Sequence, residues 1–388
     1  MTRRPPDSGD DMAIKLLHTA DWHLGMRFPS FAEHEQKLTH QRLATVRNIL
    51  GVAERYGVDV VVVAGDVFDL PEPTELWWRP LVELLAERTW TDRKLVLLPG
   101  NHDPLTATSV WQNPQFLRAL PPWALVVDRD DFTLSIGDDA VIHAVPCRRA
   151  AGQLEMAAKL PVRAAGDERV RIAVLHGQTF EMEGWASNFH IAKDTASARG
   201  FDYVALGDTH ALRRYPPDAT PMIYPGAPEP TRFGETEAGN VVLALFHRRR
   251  RTPQIYVEPV GHFRWEERVV TSIAELRALR DEDHRHSVLR LAVRLALPAR
   301  EYEEAEQILR ALVGDIAQPG SVAIPMLDRS GLALDAREIM VELDDLPDQV
   351  RETARRLQAM IDAGDRPEAA QRALVHLYRL AHGTDAPL

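Results

Sequence analysis

One cysteine, Cys147, stands among 388 residues, which excludes an intramolecular disulfide framework and a zinc site built of thiolates. No apolar run approaches the ~20 residues needed to cross a bilayer, and Met1 to Asp11 lacks the apolar stretch of a secretory signal. A cytoplasmic protein without a membrane partner is therefore expected. Positive charge is also in short supply: 46 Lys and Arg against 57 Asp and Glu give a net charge of −11. Non-specific DNA affinity is mostly phosphate neutralisation, so a general basic nucleic-acid coat is excluded. An enzyme that meets phosphodiesters through metal cations or a local basic patch is not. Internal repeats and low-complexity tracts are absent.

What is present is the balance of a folded chain, 45% hydrophobic and 27% charged. At ~150 residues per domain, two or three domains are expected. Residues 1–12 read as a flexible polar tail. From Ala13 onward strand and helix alternate. AIKLLHT is a strand, and Glu33 to Arg55 carries Leu38, Leu43, Val46, Ile49 and Leu50 at helical spacing. Val58 to Val63 is so continuously β-branched that it reads as a strand buried on both faces. A helix from Thr74 to Glu87 and the strand KLVLLP follow, which is the grammar of a layered α/β sheet. AVIHAVP, RIAVLHG and YVALGD are further strands, and NVVLALFH with QIYVEPV makes an antiparallel hairpin.

Near Gly261 the character changes. Leu289, Leu291, Val293 and Leu295 alternate with Arg290 and Arg294, and a helix at Glu301 to Leu312 and a strand near Ser321 follow, as in a small α+β domain. The end is helical: Leu346, Val350, Ala354, Leu357 and Ile361 form one stripe, stopped at Gly364. Asp365, Pro367 and Glu368 then open a second helix with Ala370, Leu374, Leu377 and Ala381. Such helices either cover their own domain or dock a partner.

Five polar motifs sit at or just beyond carboxyl ends of the expected strands: Asp21-Trp22-His23, Gly65-Asp66-Val67-Phe68-Asp69, Gly100-Asn101-His102-Asp103, His176-Gly177 and Gly207-Asp208-Thr209-His210. In open α/β sheets ligands bind at those ends. Each motif alone is weak, because Asp-Gly and Asn-His steps are ordinary turns. Together they would crowd carboxylates and imidazoles into one place, which is unfavourable unless cations neutralise it. A mix of Asp, His and Asn suits manganese, and so many donors suit two ions better than one.

The set resembles the calcineurin-like metallophosphoesterases, with their ordered D-x-H, GD-x-x-D, GNH-D/E, H and G-H-x-H motifs. More narrowly it is similar to the SbcD branch, nuclease subunits of double-strand-break repair complexes. The residues that carry this are His18 to Gly25 (HTADWHLG), Ala64 to Asp69 (AGDVFD), Leu98 to Asp103 (LPGNHD) and Tyr224 to Glu235 (YPGAPEPTRFGE). The resemblance spans about 13–260 and implies an α/β fold, a layered sandwich of two mixed sheets flanked by helices. It places the nuclease domain at 13–262, a small α+β capping domain at 263–335, and a helical partner-docking segment at 336–388. It implies that Asp21, His23 and His210 hold one ion, that Asp66 bridges, and that Asn101, His176 and Asp208 hold the other. The two divalent ions would be Mn2+, or Mg2+. His102 would protonate the leaving oxygen, oriented by Asp69 in preference to Asp103. The implied partners are DNA, a second copy of the chain, and an SbcC-like coiled-coil ABC-type ATPase, in a nucleoid-associated setting.

The pattern departs from the family at one place. Its G-H-x-H is here Gly207-Asp208-Thr209-His210, so a carboxylate replaces an imidazole. This is either an exchange within the ligand set, favouring harder metals, or a weakened site kept for DNA binding or assembly. A phosphatase or cyclic-nucleotide phosphodiesterase on the same fold is a further alternative. Arg248 to Arg251 read as a solvated turn or a phosphate contact, and Arg290 and Arg294 as an exposed sheet face or part of a DNA path. Trp77 and Trp78 read as helix packing, and Cys147 as a buried thiol.

Overall fold

The computed structural model describes residues 12–153, 156–179, 189–215, 222–248, 250–314, 318–334 and 347–382. The expected tail (Met12 apart) and 335–346, with Leu346, lie outside the described residues. The chain divides into two compact units, Met1–Arg264 and Trp265–Leu388.

In the first unit the elements run β1 (Met12–Thr19), α1 (Glu35–Tyr56), β2 (Val60–Val63), α2 (Glu75–Ala86), β3 (Lys94–Leu97), α3 (Pro114–Ala119), β4 (Ala124–Val126), β5 (Phe132–Ile136), β6 (Ala140–Ala144), β7 (Val170–His176), α4 (Thr195–Arg199), β8 (Tyr203–Gly207), β9 (Arg213–Tyr215), β10 (Met222–Tyr224), β11 (Asn240–His247) and β12 (Arg250–Pro259). One six-stranded sheet has the order β12-β11-β1-β2-β3-β4 and the other β5-β6-β7-β8-β10-β9. Strands β1 to β4 are parallel, and β11 and β12 close that sheet as an antiparallel hairpin. In the second sheet β6, β7, β8 and β10 are parallel, with antiparallel β5 and β9 at its edges. Both sheets are therefore mixed, and the fold is the layered α/β sandwich.

Alternation along each strand builds the layers. Val60 and Val62 of β2 enter the core shared with Ile142, Ile172, Val174 and Ala205 of the opposing sheet. Val61 and Val63 enter the other core, against Val46, Ile49 and Leu50 of α1 and Leu81 of α2. All four valines are fully buried, each stabilising by roughly 1.5–3 kcal/mol. A one-residue slip would exchange the two cores' side chains, so the register is pinned. On the far side of the second sheet Ala173, Leu175, Val204 and Leu206 pack with Phe189, Ile191, Ala196 and Phe201. Helix α1 ends where Gly57, in the left-handed region, donates back to Ala53 and Glu54. Its first turn is preceded by a 3-10 turn at Pro29–His34, so the α-helix starts two residues later than its apolar spacing suggests.

The second unit contains β13 (Arg264–Val270), α5 (Ile273–Arg280), β14 (Ser287–Leu297), α6 (Ala299–Val313), β15 (Ile324–Leu334), α7 (Asp348–Asp362) and α8 (Pro367–His382), with a sheet ordered β13-β14-β15. Leu289, Leu291, Val293 and Leu295 face a core with Ile308, Leu309 and Leu312 of α6. Ala354 of α7 and Leu374 of α8 belong to the same core. Arg290 and Arg294, on the outer face, pair with Glu267 and Asp328 on the adjoining strands.

Candidate metal centre

Strands β1, β2 and β3 end level, since Thr19 pairs with Val63 and Val63 with Leu97. The ladder then continues past the strand ends: the N–H groups of Asp21 and His23 donate to Gly65 O and Asp66 O at 3.0 and 2.9 Å. In the other sheet His176 pairs with Gly207, and Gly177 N–H donates to Gly207 O. Two sets of loops thus meet at one edge of the sandwich.

Their backbones are strained. Asp21, His23, Asp66 and Asp208 have φ of 55°, 45°, 53° and 93°, and among described non-glycine residues only Ala32 and Arg366 share that region. Each such conformation costs on the order of 1–3 kcal/mol and persists only when its surroundings enforce it. Glycines make room for what gathers here. A Cβ on Gly65 would lie 2.0 Å from His176 Nδ1, and one on Gly100 would lie 2.1 Å from Asp66 Oδ1.

Among the described residues three groups of side chains have ligand atoms within 4.8 Å of one another: Asp21 with His23 and His210, Asp21 with Asp66 and His176, and His23 with Asp66 and His102. His23 Nε2 and His210 Nε2 face each other at 3.2 Å. His176 Nδ1 donates to Ala64 O at 2.8 Å, which leaves Nε2 toward Asn101 Oδ1 at 2.7 Å, Asp66 Oδ2 at 3.4 Å and Asp208 Oδ1 at 3.9 Å. The backbone N–H of Asp208 donates to Asp21 Oδ1 at 3.0 Å. All seven residues implied as ligands therefore surround one space, with Asp66 in two of the three groups.

Buried groups of opposite charge shape the electrostatics. Burial drives Asp21 upward, against the pull of His210 and His176. It opposes charge on His176, yet the surrounding Asp66, Asp21 and Asp208 push that imidazole well above its usual value. Burial also raises Asp66, but the charge and hydrogen bond of His176 outweigh it and hold the carboxyl low. His23 falls to about 4, chiefly through burial. The buried Oδ2 of Asp208 has no hydrogen-bond partner among the described residues, which is costly for a carboxylate oxygen unless a cation takes it. Buried carboxylates, opposed imidazole nitrogens and an orphaned oxygen fit divalent cations with O and N ligands.

His102 differs from the seven residues expected as ligands. Its side chain is 45% exposed, with Nδ1 3.5 Å from Asp69 Oδ1 and 3.3 Å from Asp69 O. Asp69 raises it to about 9 in spite of partial burial. Asp69 Oδ1 also lies 3.2 Å from His23 Nδ1, so one carboxylate steadies two rings. Asp103 is fully buried and elsewhere: it accepts the N–H groups of Phe68 and Gly100 at 2.9 and 2.7 Å, tying the second loop to the third.

Residues to which the motifs assigned no role complete the surroundings. His210 Nδ1 lies 2.9 Å from Glu235 Oε1 and 3.0 Å from Thr231 Oγ1. Arg42 of α1 is buried and donates to Trp22 O at 2.8 Å and Pro230 O at 3.3 Å. Glu229 accepts from Thr45 Oγ1 and from the N–H of His262, at 2.5 and 2.6 Å. The only available signal was the pair of glutamates in APEPTRFGE, a stretch with no ligand pattern of its own. Cys147 is buried, its thiol 3.7 Å from His176 O.

Comparison with known proteins bears on the same residues. The SbcD component of the nuclease SbcCD from Escherichia coli K12 is 37% identical over 90 residues, 23% of this chain and 21% of that protein. Its counterpart in Rhodobacter capsulatus is 36% identical over 146 residues, 36% and 33% of the two chains. The DNA double-strand break repair protein Mre11 of Methanopyrus kandleri is 24% identical over 237 residues, 58% and 51%. The chain thus matches between about a fifth and a half of the length of these relatives. The family model described as calcineurin-like phosphoesterase matches residues 14–212, more than half of the chain and a span that includes all nine expected site residues, and the chain belongs to the calcineurin-like phosphoesterases.

Proposed function

We propose that this chain is a metal-dependent DNA nuclease of the SbcD type that hydrolyses phosphodiesters in double-strand-break processing. The observation that carries this reading is that Asp66 lies among close ligand atoms on both sides, with Asp21 and His176 in one group and with His23 and His102 in another. Asp21, His23 and His210 would hold one ion and Asn101, His176 and Asp208 the other, with Asp66 between them. Two divalent ions, Mn2+ by preference, would supply Lewis acidity and an activated water at neutral pH.

The chain's own residues then have distinct tasks. With His102 Nδ1 held against Asp69, Nε2 is the ring atom left to give a proton to the departing oxygen. Asp69 keeps the ring charged and steady, and its contact with His23 fixes both rings to one wall of the site. The names of the relatives favour DNA over small phosphoesters. The acidic net charge is then answered by the metals and by a partner that supplies DNA-binding surface. In this reading the chain works in the cytoplasm at the nucleoid, as a homodimer bound to an SbcC-like coiled-coil ABC-type ATPase. No helix among the described residues is long and apolar enough to cross a membrane.

Docking through α7 and α8 is tested at Leu380, an apolar side chain 67% exposed on α8. Leu380→Asp leaves the fold intact and abolishes association with the ATPase; unchanged association contradicts this docking surface. The enzymatic reading is tested by turnover. Cleavage of DNA exceeding turnover of bis-p-nitrophenyl phosphate or cyclic nucleotides supports it, and the reverse order assigns a small-molecule phosphodiesterase.

A further inference from the structure

We infer that Glu235 is a positioning residue for the metal site, holding His210 so that its Nε2, and not its Nδ1, meets the ion. This rests on the proposed assignment of Asp21, His23 and His210 to a single ion. Glu235 lies in the loop after β10, 25 residues beyond His210, and its side chain is only 7% exposed. Both carboxylate oxygens are committed. Oε1 accepts from His210 Nδ1 at 2.9 Å and from Thr231 Oγ1 at 2.7 Å, and Oε2 accepts the backbone N–H of Thr231 at 2.7 Å.

An imidazole whose Nδ1–H is given to a carboxylate keeps its lone pair on Nε2, and its ring orientation is fixed. That lone pair is the one facing His23 Nε2. The loop carrying Glu235 is itself anchored. Pro230 O accepts from Arg42, which also donates to Trp22 O in the first motif, and Glu229 receives Thr45 from the same helix and His262 from the end of β12. Helix α1 thus sets the first motif and the His210 support by a single guanidinium. The loop has no ligand of its own and acts on the metal through His210.

The test is Mn2+ titration of the purified chain by calorimetry and electron paramagnetic resonance, comparing wild type with Glu235→Gln, Glu235→Ala and Asp66→Asn. Outer partners of ligating histidines typically contribute 10- to 100-fold to metal affinity. Glu235→Ala should weaken one ion by that factor and leave the other unchanged. Glu235→Gln, which keeps one acceptor but turns the other atom into a donor facing Thr231 N–H, should fall between. Melting of the metal-free proteins guards against a merely structural effect, because general loosening would weaken both ions together. Two ions bound equally tightly by wild type and Glu235→Ala, or a parallel loss of both ions in Glu235→Ala, would overturn the inference while leaving the metal site standing. No ion bound by wild type would overturn the site and the inference with it.

Discussion

The Nε2 atoms of His23 and His210 approach to 3.2 Å; behind them Glu235 Oε1 accepts from His210 Nδ1 at 2.9 Å, and Asp69 Oδ1 lies 3.2 Å from His23 Nδ1. Two buried imidazoles with these nitrogens toward each other have little reason to meet unless both lone pairs serve one cation. His210→Ala should therefore reduce Mn2+ bound at saturation from two ions to one, read by calorimetry. Undiminished stoichiometry would place the ligand elsewhere.

Asp208 occupies the position where the family motif has an imidazole, with φ of 93° and an orphaned buried oxygen. Aspartate is among the few side chains that tolerate that region. A third carboxylate favours hard ions, so Asp208→His should shift the metal preference from Mg2+ and Mn2+ toward softer Co2+ and Zn2+. Cleavage rates across these four ions measure it. An unchanged order of metals would mean that Asp208 stands outside the ligand set.

His102 lies against Asp69 and, at 45% exposed, is more open to solvent than His210 at 23%. His102→Asn should lower the cleavage rate by about 10²- to 10⁴-fold with Mn2+ affinity unchanged. Loss of an ion in this variant would make His102 a ligand and not a proton donor, a role its neighbourhood with His23 and Asp66 would also permit.

His18 is fully buried, its Nδ1 2.9 Å from Tyr203 Oη, and burial lowers its pKa from 6.5 to about 3. Between those values the unfolded chain takes up a proton that the folded chain refuses. Stability attributable to His18 is thus fully present above pH 6.5 and declines as the pH falls toward 3. The slope is roughly 1.4 kcal/mol per pH unit. Urea unfolding of wild type and His18→Gln at pH 7 and pH 5 should show the wild type losing roughly 2 kcal/mol more. Parallel losses would mean that His18 is charged in the folded state.

Gly65 has φ of +97° and no space for a Cβ beside His176. Gly65→Ala should destabilise the protein by roughly 2–4 kcal/mol, combining backbone strain with displacement of a buried ring. It should also weaken the ion assigned to His176, as melting and Mn2+ titration would show. Intact metal binding would mean that the ring can shift without cost.

The layered core was legible because buried parallel strands write themselves as continuous β-branched runs, Val60 to Val63 above all. The very short strands β4, β9 and β10 carry too few residues for any period to register. The five polar motifs were legible because each sits within a few residues of a strand end, and level strand ends bring them together. Glu235 was not, since its partner is 25 residues away and hydrogen bonding between loops leaves no spacing in the sequence. The preference for Asp69 over Asp103 came from the GD-x-x-D motif, because Asp69 is 33 residues from His102; the sequence holds no sign of why the adjacent Asp103 points away, which is that it accepts the buried amides of Phe68 and Gly100.

The most direct measurement is cleavage of linear double- and single-stranded DNA by the purified chain with Mn2+, alongside Asp66→Asn and a chelated control. Cleavage by the wild type that Asp66→Asn and chelation both abolish is the expected result. Cleavage that persists in Asp66→Asn, or a wild type that binds Mn2+ and cuts no DNA even with the proposed ATPase partner, would contradict the two-ion nuclease.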